Sequence, residues 1–274
     1  MGALYLCATP IGNLEDITLR VLRTLKEVDL IAAEDTRQTI KLLNHFDIKT
    51  PLTSYHEHNK FQKTGVLVNE LLAGKNIAVV TDAGTPAISD PGAELALAAY
   101  EAGIPVTSLP GASAVITALT LGGLPTRRFA FEGFLSTAKS ERDERLTELQ
   151  SEVRTMIFYE APPKLKNTLA DLYKYFGDRK ISLCRELTKI NEEVCRTTIS
   201  EAIKIYEEKD PRGEYVLVVG GADKKKTQEE YPADPVEHVK ALMDSGMKKM
   251  EAVKTAAKLR GEDKNDIYKL VLDL

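Results

Sequence analysis

The stretch Val79-Val80-Thr81-Asp82-Ala83-Gly84-Thr85-Pro86-Ala87-Ile88-Ser89-Asp90-Pro91-Gly92 decides how this chain is read. It enters from an unbroken apolar run, Ile77 to Val80, the pattern of an interior parallel strand buried on both faces. It leaves as an Ala/Leu/Glu helix from about Gly92. The loop between them is dense in Gly, Pro, Asp, Ser and Thr, and longer than a minimal strand-to-helix turn needs to be. In open α/β sheets ligands bind beyond the carboxyl ends of the strands. The loop is therefore expected to be a shaped ligand surface, with a plain connection as the bland alternative.

Outward from that loop, strand and helix signals alternate. Upstream, Leu4 to Ala8 reads as a first strand, followed by the turn Thr9-Pro10-Ile11-Gly12-Asn13 and a helix carrying Ile17, Val21, Leu22 and Leu25. Asp29 to Ala33 is a second strand running into Glu34-Asp35-Thr36-Arg37, and Leu52 to Tyr55 a third ending at His56-Glu57-His58-Asn59. Downstream come a helix over Ala93 to Ala102, a strand over Val106 to Leu109, Pro110-Gly111-Ala112-Ser113, and a helix over Ala114 to Leu121. Such alternation predicts a parallel sheet covered by helices. Gly122-Gly123-Leu124-Pro125 interrupts it and marks a domain boundary. Beyond it, strands at Phe129–Phe134, Thr155–Tyr159, Ile181–Cys184, Glu193–Thr197 and Tyr215–Val219 lie closer together, which predicts a mixed sheet. The expected division is an N-terminal α/β domain over 1–122, a mixed-sheet domain over 123–223, and a linker with a small helical tail over 224–274. In that last segment Lys224-Lys225-Lys226-Thr227-Gln228-Glu229-Glu230 reads as the linker, and three short helices follow it.

At 274 residues the chain exceeds one typical domain. No apolar run approaches the roughly 20 residues that span a bilayer, and Leu4 to Ala8 is too short for a signal peptide and lacks a basic flank. A cytoplasmic protein is the simplest expectation. Cys7, Cys184 and Cys195 are scattered, with neither metal-ligand nor disulfide spacing, so buried reduced thiols and no metal are expected. The net charge of −4 excludes a globally basic nucleic-acid binder. A nucleic-acid ligand would need a local patch instead. Met247 to Lys264 holds six basic against three acidic residues, either a solvated helix face or an RNA contact.

Three turns at strand ends, Thr9 to Asn13, the opening loop and Pro110 to Ser113, should meet at one edge of the first sheet. None matches Gly-x-Gly-x-x-Gly or Gly-x-x-x-x-Gly-Lys-Ser/Thr, so phosphate cradling is disfavoured. A ligand held by main-chain groups and a helix N-terminus, such as an amino-acid carboxylate, suits them better. Ser113 stands where it could cap the helix or touch the ligand.

These residues also carry a family likeness. Ala8-Thr9-Pro10-Ile11-Gly12-Asn13-Leu14-Glu15-Asp16-Ile17-Thr18 resembles the N-terminal signature of the bacterial small-subunit ribosomal RNA 2'-O-methyltransferases of the tetrapyrrole-methylase superfamily. Ala32–Arg37, Ser54–Asn59, the opening loop, Leu109-Pro110-Gly111, Phe131–Leu135 and Arg185–Lys189 resemble their other motifs in the same order, over roughly residues 4 to 220. The resemblance implies a class III methyltransferase of two α/β domains with a cleft between them and a small helical appendage. It implies S-adenosyl-L-methionine (SAM) in that cleft, a homodimer, and 2'-O-methylation of a decoding-centre cytidine of 16S rRNA in the small ribosomal subunit. SAM carries no phosphate, which accounts for the missing phosphate fingerprint. Carried over by motif, the cofactor residues are Thr9, Pro10, Ile11 and Gly12; Asp82, Ala83, Gly84 and Thr85; Pro110, Gly111, Ser113 and Ala114; and, from the second domain, Phe158 and Tyr159, with Gly213-Glu214-Tyr215 closing over them. The chain departs from its relatives after Glu160, where Ala161-Pro162-Pro163-Lys164 replaces a stretch that often holds Ser, His or Arg.

Methyl transfer from a sulfonium has a neutral leaving group and needs no general acid, so alignment carries much of the rate. A ribose hydroxyl is a poor nucleophile, and a base beside it should help. Glu34, His56 and Glu186 are the expected catalytic groups, with Asp35, Arg37, Arg185 and Lys189 on the substrate. The bland alternatives are a salt-bridged helix cap for Glu34 to Arg37, a surface-loop histidine for His56, and an interdomain or dimer ion pair for Arg185-Glu186. Two rival functions remain open on sequence. One is a methylase of the same fold acting on a tetrapyrrole or a protein side chain, and the other a non-catalytic ribosome-binding module.

Overall fold

The computed structural model describes residues 1–223, 232 and 234–272. The linker expected over Lys224–Glu230 lies outside the described residues. One compact unit runs over Met1–Asp223 and a second over Lys224–Leu274; the first contains two lobes.

In the N-terminal lobe, strands β1 (Leu4–Cys7), β2 (Leu30–Ala33), β3 (Leu52–Ser54), β4 (Ile77–Val80) and β5 (Val106–Leu109) alternate with helices α1 (Leu19–Glu27), α2 (Thr36–His45), α3 (Lys60–Leu72), α4 (Ala93–Glu101) and α5 (Ala114–Leu121). The sheet is wholly parallel, in the order β3-β2-β4-β1-β5. The opening stretch therefore leaves the central strand, next to the crossover where β4 lies between β2 and β1. Side chains alternate across β4, which explains why its four residues are all apolar. Ala78 and Val80 join the core that α1 and α2 cover through Val21, Leu25 and Leu43. Ile77 and Val79 join the opposite core, which α3 and α4 cover through Leu67, Leu71, Leu95 and Ala99. Helix α1 starts where Thr18 accepts a hydrogen bond from the Val21 amide, a cap that satisfies one orphan donor.

The second lobe holds β6 (Phe129–Phe134), α6 (Lys139–Glu148), β7 (Thr155–Glu160), α7 (Leu165–Phe176), β8 (Lys180–Arg185), β9 (Glu193–Thr198), α8 (Ile199–Glu208) and β10 (Tyr215–Val219). Its sheet runs β6-β7-β10-β8-β9, with β6 and β7 parallel and the other pairs antiparallel. This is the mixed sheet expected, beside the parallel one. One face, with Met156, Phe158, Leu183 and Leu217, packs on the helices of the same lobe. The other face presents Ile157, Cys184, Val216 and Val218 to Val115, Ala118 and Leu119 of α5. The last helix of the first lobe thus fills the groove of the second. At the 122–125 turn, the Ser182 hydroxyl donates to the Gly122 carbonyl at 2.6 Å.

In the second compact unit, α9 (Pro235–Asp244), α10 (Lys249–Arg260) and α11 (Lys264–Leu270) enclose a core of Val239, Val253, Ala256, Ile267 and Val271. Among the described residues no helix is long and apolar enough to cross a membrane. Cys7 and Cys184 are buried and reduced, and burial pushes their thiols up to about 12 and about 11 respectively. Neither is a nucleophile near neutral pH.

Candidate active site

The strand-end turns of the first lobe do meet. The Thr9 amide donates to the Gly84 carbonyl at 2.9 Å and the Gly84 amide to the Thr9 carbonyl at 3.0 Å, pinning the first turn to the opening loop. The Thr9 hydroxyl donates to the Thr81 carbonyl at 3.1 Å, and the Thr85 hydroxyl to the Ala112 carbonyl at 3.1 Å. Gly84 needs to be glycine, because its φ is +84° and a Cβ there would stand 3.3 Å from Ile11 Cγ2. Gly12 faces the second lobe. A Cβ on it would lie 2.5 Å from Lys189 Cγ and 2.9 Å from the Leu187 carbonyl oxygen.

Between the lobes lies a cavity of about 420 Å³, of the size that holds a small molecule. Its first-lobe wall includes Ile11, Ala83, Gly84, Thr85, Ser113 and Ala114. Ser113 occupies the cap position of α5 but makes no capping hydrogen bond, so the first-turn amides are left for a ligand. Tyr159, Leu187, Lys189 and Glu214 contribute from the second lobe. The walls are mostly apolar, with main-chain groups and few charges. That composition fits a SAM-like ligand better than it fits a phosphate.

Other expected cofactor residues are placed differently. Phe158 is fully buried in the core behind the sheet. Adjacent residues of one strand point to opposite faces, so Phe158 and Tyr159 cannot both line the cleft. Thr9, Pro10, Gly12, Pro110 and Gly111 shape the turns without lining the cavity, and a Cβ on Gly111 would meet Ala8 Cβ at 2.7 Å. Asp82 does not line the cavity; it accepts from the Asp35 amide at 3.2 Å, while its own amide donates to Glu34 at 3.3 Å.

That contact draws together an acidic group. Burial first, and the charges of Asp82 and Asp35 after it, raise Glu34 above the usual carboxylate range, opposed by the Asp82 amide and by His56. Burial, then the charges of Glu34 and Asp82, push Asp90 up to about 6. Asp90 is the acid of this group that lines the cavity. The sequence signal for it, an acid inside the Gly/Pro loop, was present but did not single it out from Asp82. It follows Ala87 and Ser89, two non-glycine residues with φ of 69° and 65°, a conformation that costs energy and is held only by its surroundings. Burial and the Asp90 charge push the Tyr159 hydroxyl up to about 12.

His56 is half-buried beside this group, its amide donating to Asn59 at 2.9 Å and its Nδ1 buried without a hydrogen-bond partner. Glu186 has a different setting from the base expected of it. It accepts from the Glu214 amide and from Lys189 Nζ, both at 2.9 Å, and these bonds hold its carboxyl below the usual range. A Cβ on Gly213 would sit 2.5 Å from Glu186 Cγ, so the carboxylate is wedged in place. It fixes Lys189, which also reaches Glu214 at 2.9 Å and lines the cavity. Arg185 pairs with Glu193 at 3.0 Å. Asp35 caps α2 and pairs with the exposed Arg37 at 2.7 Å, which holds its carboxyl at about 2. That is the salt-bridged cap named as the bland alternative for this motif. Among the described residues no His/Cys/Asp/Glu group could hold a metal ion.

Residues 3–203 match the family model of tetrapyrrole (corrin/porphyrin) methylases. The chain is 51% identical to ribosomal RNA small subunit methyltransferase I of Halalkalibacterium halodurans, over 98% of this chain and 94% of that protein. It is 48% identical to the protein of the same name in Bacillus subtilis, over 98% and 93%. Among solved structures, diphthine synthase aligns with a TM-score of 0.62 at 14% identity, over 80% of this chain and 90% of that one. A Thermus thermophilus uroporphyrin-III C-methyltransferase, solved with S-adenosylhomocysteine, aligns at 0.58 and 18% identity, over 80% and 97%.

Proposed function

The chain belongs to the tetrapyrrole methylase family, in its ribosomal RNA small subunit methyltransferase branch, and from that premise we propose that it methylates the 2'-hydroxyl of a decoding-centre cytidine in 16S rRNA, with SAM held in the interlobe cleft. The observation that carries the reading is a cavity with an apolar, main-chain-rich floor and a half-buried acid at its wall. The ligand in the related uroporphyrin-III methyltransferase supports the choice of cofactor. Bound there, SAM supplies an electrophilic methyl on a cationic sulfur whose departure leaves a neutral thioether.

The protein's part is alignment and proton handling. Ala83, Gly84 and Thr85 would hold SAM through backbone groups, and the open first turn of α5 would favour an anionic group there. Asp90, with its carboxyl near 6, accepts the acceptor hydroxyl's proton. Glu34 acts on it through charge, and His56 acts in turn on Glu34. Glu186 is a positioning residue that holds Lys189 at the wall. The 2'-OH is the group that distinguishes RNA from DNA, and Lys189 and the basic residues of α10 supply attraction for its phosphates. A homodimer, as the family resemblance implies, is part of the same proposal.

The test is a transfer assay with labelled SAM on purified small ribosomal subunits, followed by mass spectrometry of the rRNA. One ribose methyl on one cytidine is expected. Transfer to precorrins instead, or to no RNA nucleotide, sinks the reading. Asp90→Asn should lower kcat by roughly 10²–10⁴-fold and remove the acidic limb of the pH–rate profile.

A further inference from the structure

Phe134 stays 59% exposed although its ring stands at the rim of the cleft. Strand register explains how it comes to be there. Strand β6 runs parallel to β7 with Phe131 opposite Ile157, Gly133 opposite Phe158 and Phe134 opposite Tyr159, and the register slips between Phe131 and Gly133. In an unbroken strand Phe131 and Phe134 would point to opposite faces. One extra residue in a bulge reverses that, and Gly133, with φ at 63°, supplies the conformation. Phe134 thereby joins Phe131 on the cleft face instead of entering the core behind the sheet. The rings then contact one another. Tyr159 meets Phe131 at 5.0 Å between centroids and 71° between planes, and Phe134 at 5.4 Å and 58°. Tyr159 backs Phe134 on its inner side and leaves it open toward solvent. The Asp90 loop passes close by, since a Cβ on Gly133 would lie 3.2 Å from Ser89 Oγ. A lone exposed aromatic is ordinary. One carried to a cavity rim by a bulge, and braced there by a second ring, is not explained by folding.

We propose that Phe134 is a stacking platform for an unpaired nucleobase of the RNA substrate, delivered from the solvent side so that its ribose hangs over Asp90. This rests on the cleft being an RNA-methylating site. Selecting one nucleotide of an RNA is done most readily on unpaired segments, whose unstacked bases can be splayed out and stacked on aromatic side chains. Every base has a π-face, so one aromatic ring holds it whatever its edges present. The adenine of the cofactor is the other group able to stack; the ring's exposure places it on the substrate side.

The experiment compares the full-length wild type with Phe134→Ala and Phe134→Trp. It measures KM for small ribosomal subunits, quenching of a 2-aminopurine-labelled single-stranded oligonucleotide, and S-adenosylhomocysteine affinity by calorimetry. Phe134→Ala should weaken RNA binding roughly 5- to 150-fold, the range that loss of one base–aromatic stack gives, and abolish the quench. Phe134→Trp should keep both, and cofactor affinity should be unchanged in each. Loss of cofactor affinity with RNA binding intact assigns the ring to adenine and overturns the proposal, as does indifference of all three readouts. If the wild type methylates small subunits and Phe134→Ala behaves like it, the platform alone fails. If the wild type neither binds nor methylates them, the functional reading fails and the platform with it.

Discussion

Asp90 is held at the cavity wall against its own chemistry. Burial and two neighbouring carboxylates lift its carboxyl to about 6, above the value near 3.9 of an unfolded chain. A group raised on folding stabilises most below its unfolded value, and that contribution is lost as pH climbs through the folded one. The loss therefore falls between about pH 4 and pH 6, and above that window the charged Asp90 opposes folding. Asp90→Asn should then melt higher than wild type at pH 8, and the difference should vanish by about pH 4. The gain is about 1 kcal/mol once solvent screening of a half-exposed group is allowed for. Thermal scans across pH check this, and a variant less stable than wild type at pH 8 would remove the argument. Glu186 should respond oppositely, because its carboxyl is lowered by the Glu214 amide and Lys189. Its contribution is present above its unfolded value and lost as pH falls through the lower folded one, so Glu186→Gln should cost stability at neutral pH and progressively less as the solution is acidified. The two acids look alike in sequence, each an acid in a turn after a strand. Glu186 is lowered in part by the Glu214 amide, 28 residues away along the chain, and Asp90 is raised in part by Glu34 from a different strand end, so their opposite settings were not legible there.

At the scale of elements, the site is a set of turns whose fit depends on missing side chains. Gly12 meets the Leu187–Lys189 turn so closely that a methyl group there would strike the Leu187 carbonyl oxygen at 2.9 Å. Gly12→Ala should force the two turns apart, cost about 1–3 kcal/mol by overpacking, and weaken S-adenosylhomocysteine binding; calorimetry and thermal denaturation read both effects. Unaltered cofactor affinity would show that this contact does not set the cleft. Periodicity made the elements themselves readable: β4 with both faces apolar, and α1 with Val21 and Leu25 at helical spacing. The same alternation, applied to β7, puts Tyr159 and Phe158 on opposite faces from their positions in the chain alone. The bulge in β6 could not be read so, since Gly133 alone does not say which neighbour it re-aims.

At the scale of the whole molecule, 1–223 and 224–274 are separate compact units, each with a core of its own. A chain ending at Asp223 should fold cooperatively and bind S-adenosylhomocysteine as the full chain does. Its affinity for small subunits should fall, with a shallower dependence on salt, because the basic residues of α10 are gone; filter binding at two ionic strengths measures it, and equal affinity would assign the tail another role. Local sequence by itself determined the alternation of strands and helices, the parallel first sheet, the mixed second one, and the turns that bear the chemistry. These follow from periodicity and turn residues, which act over a few positions. Only the tertiary structure decided which acid faces the cavity, that Glu186 is a clamped ion pair, and that Phe134 is turned to the cleft. Those outcomes depend on burial, charge and register between segments far apart in the chain, and no local pattern encodes them.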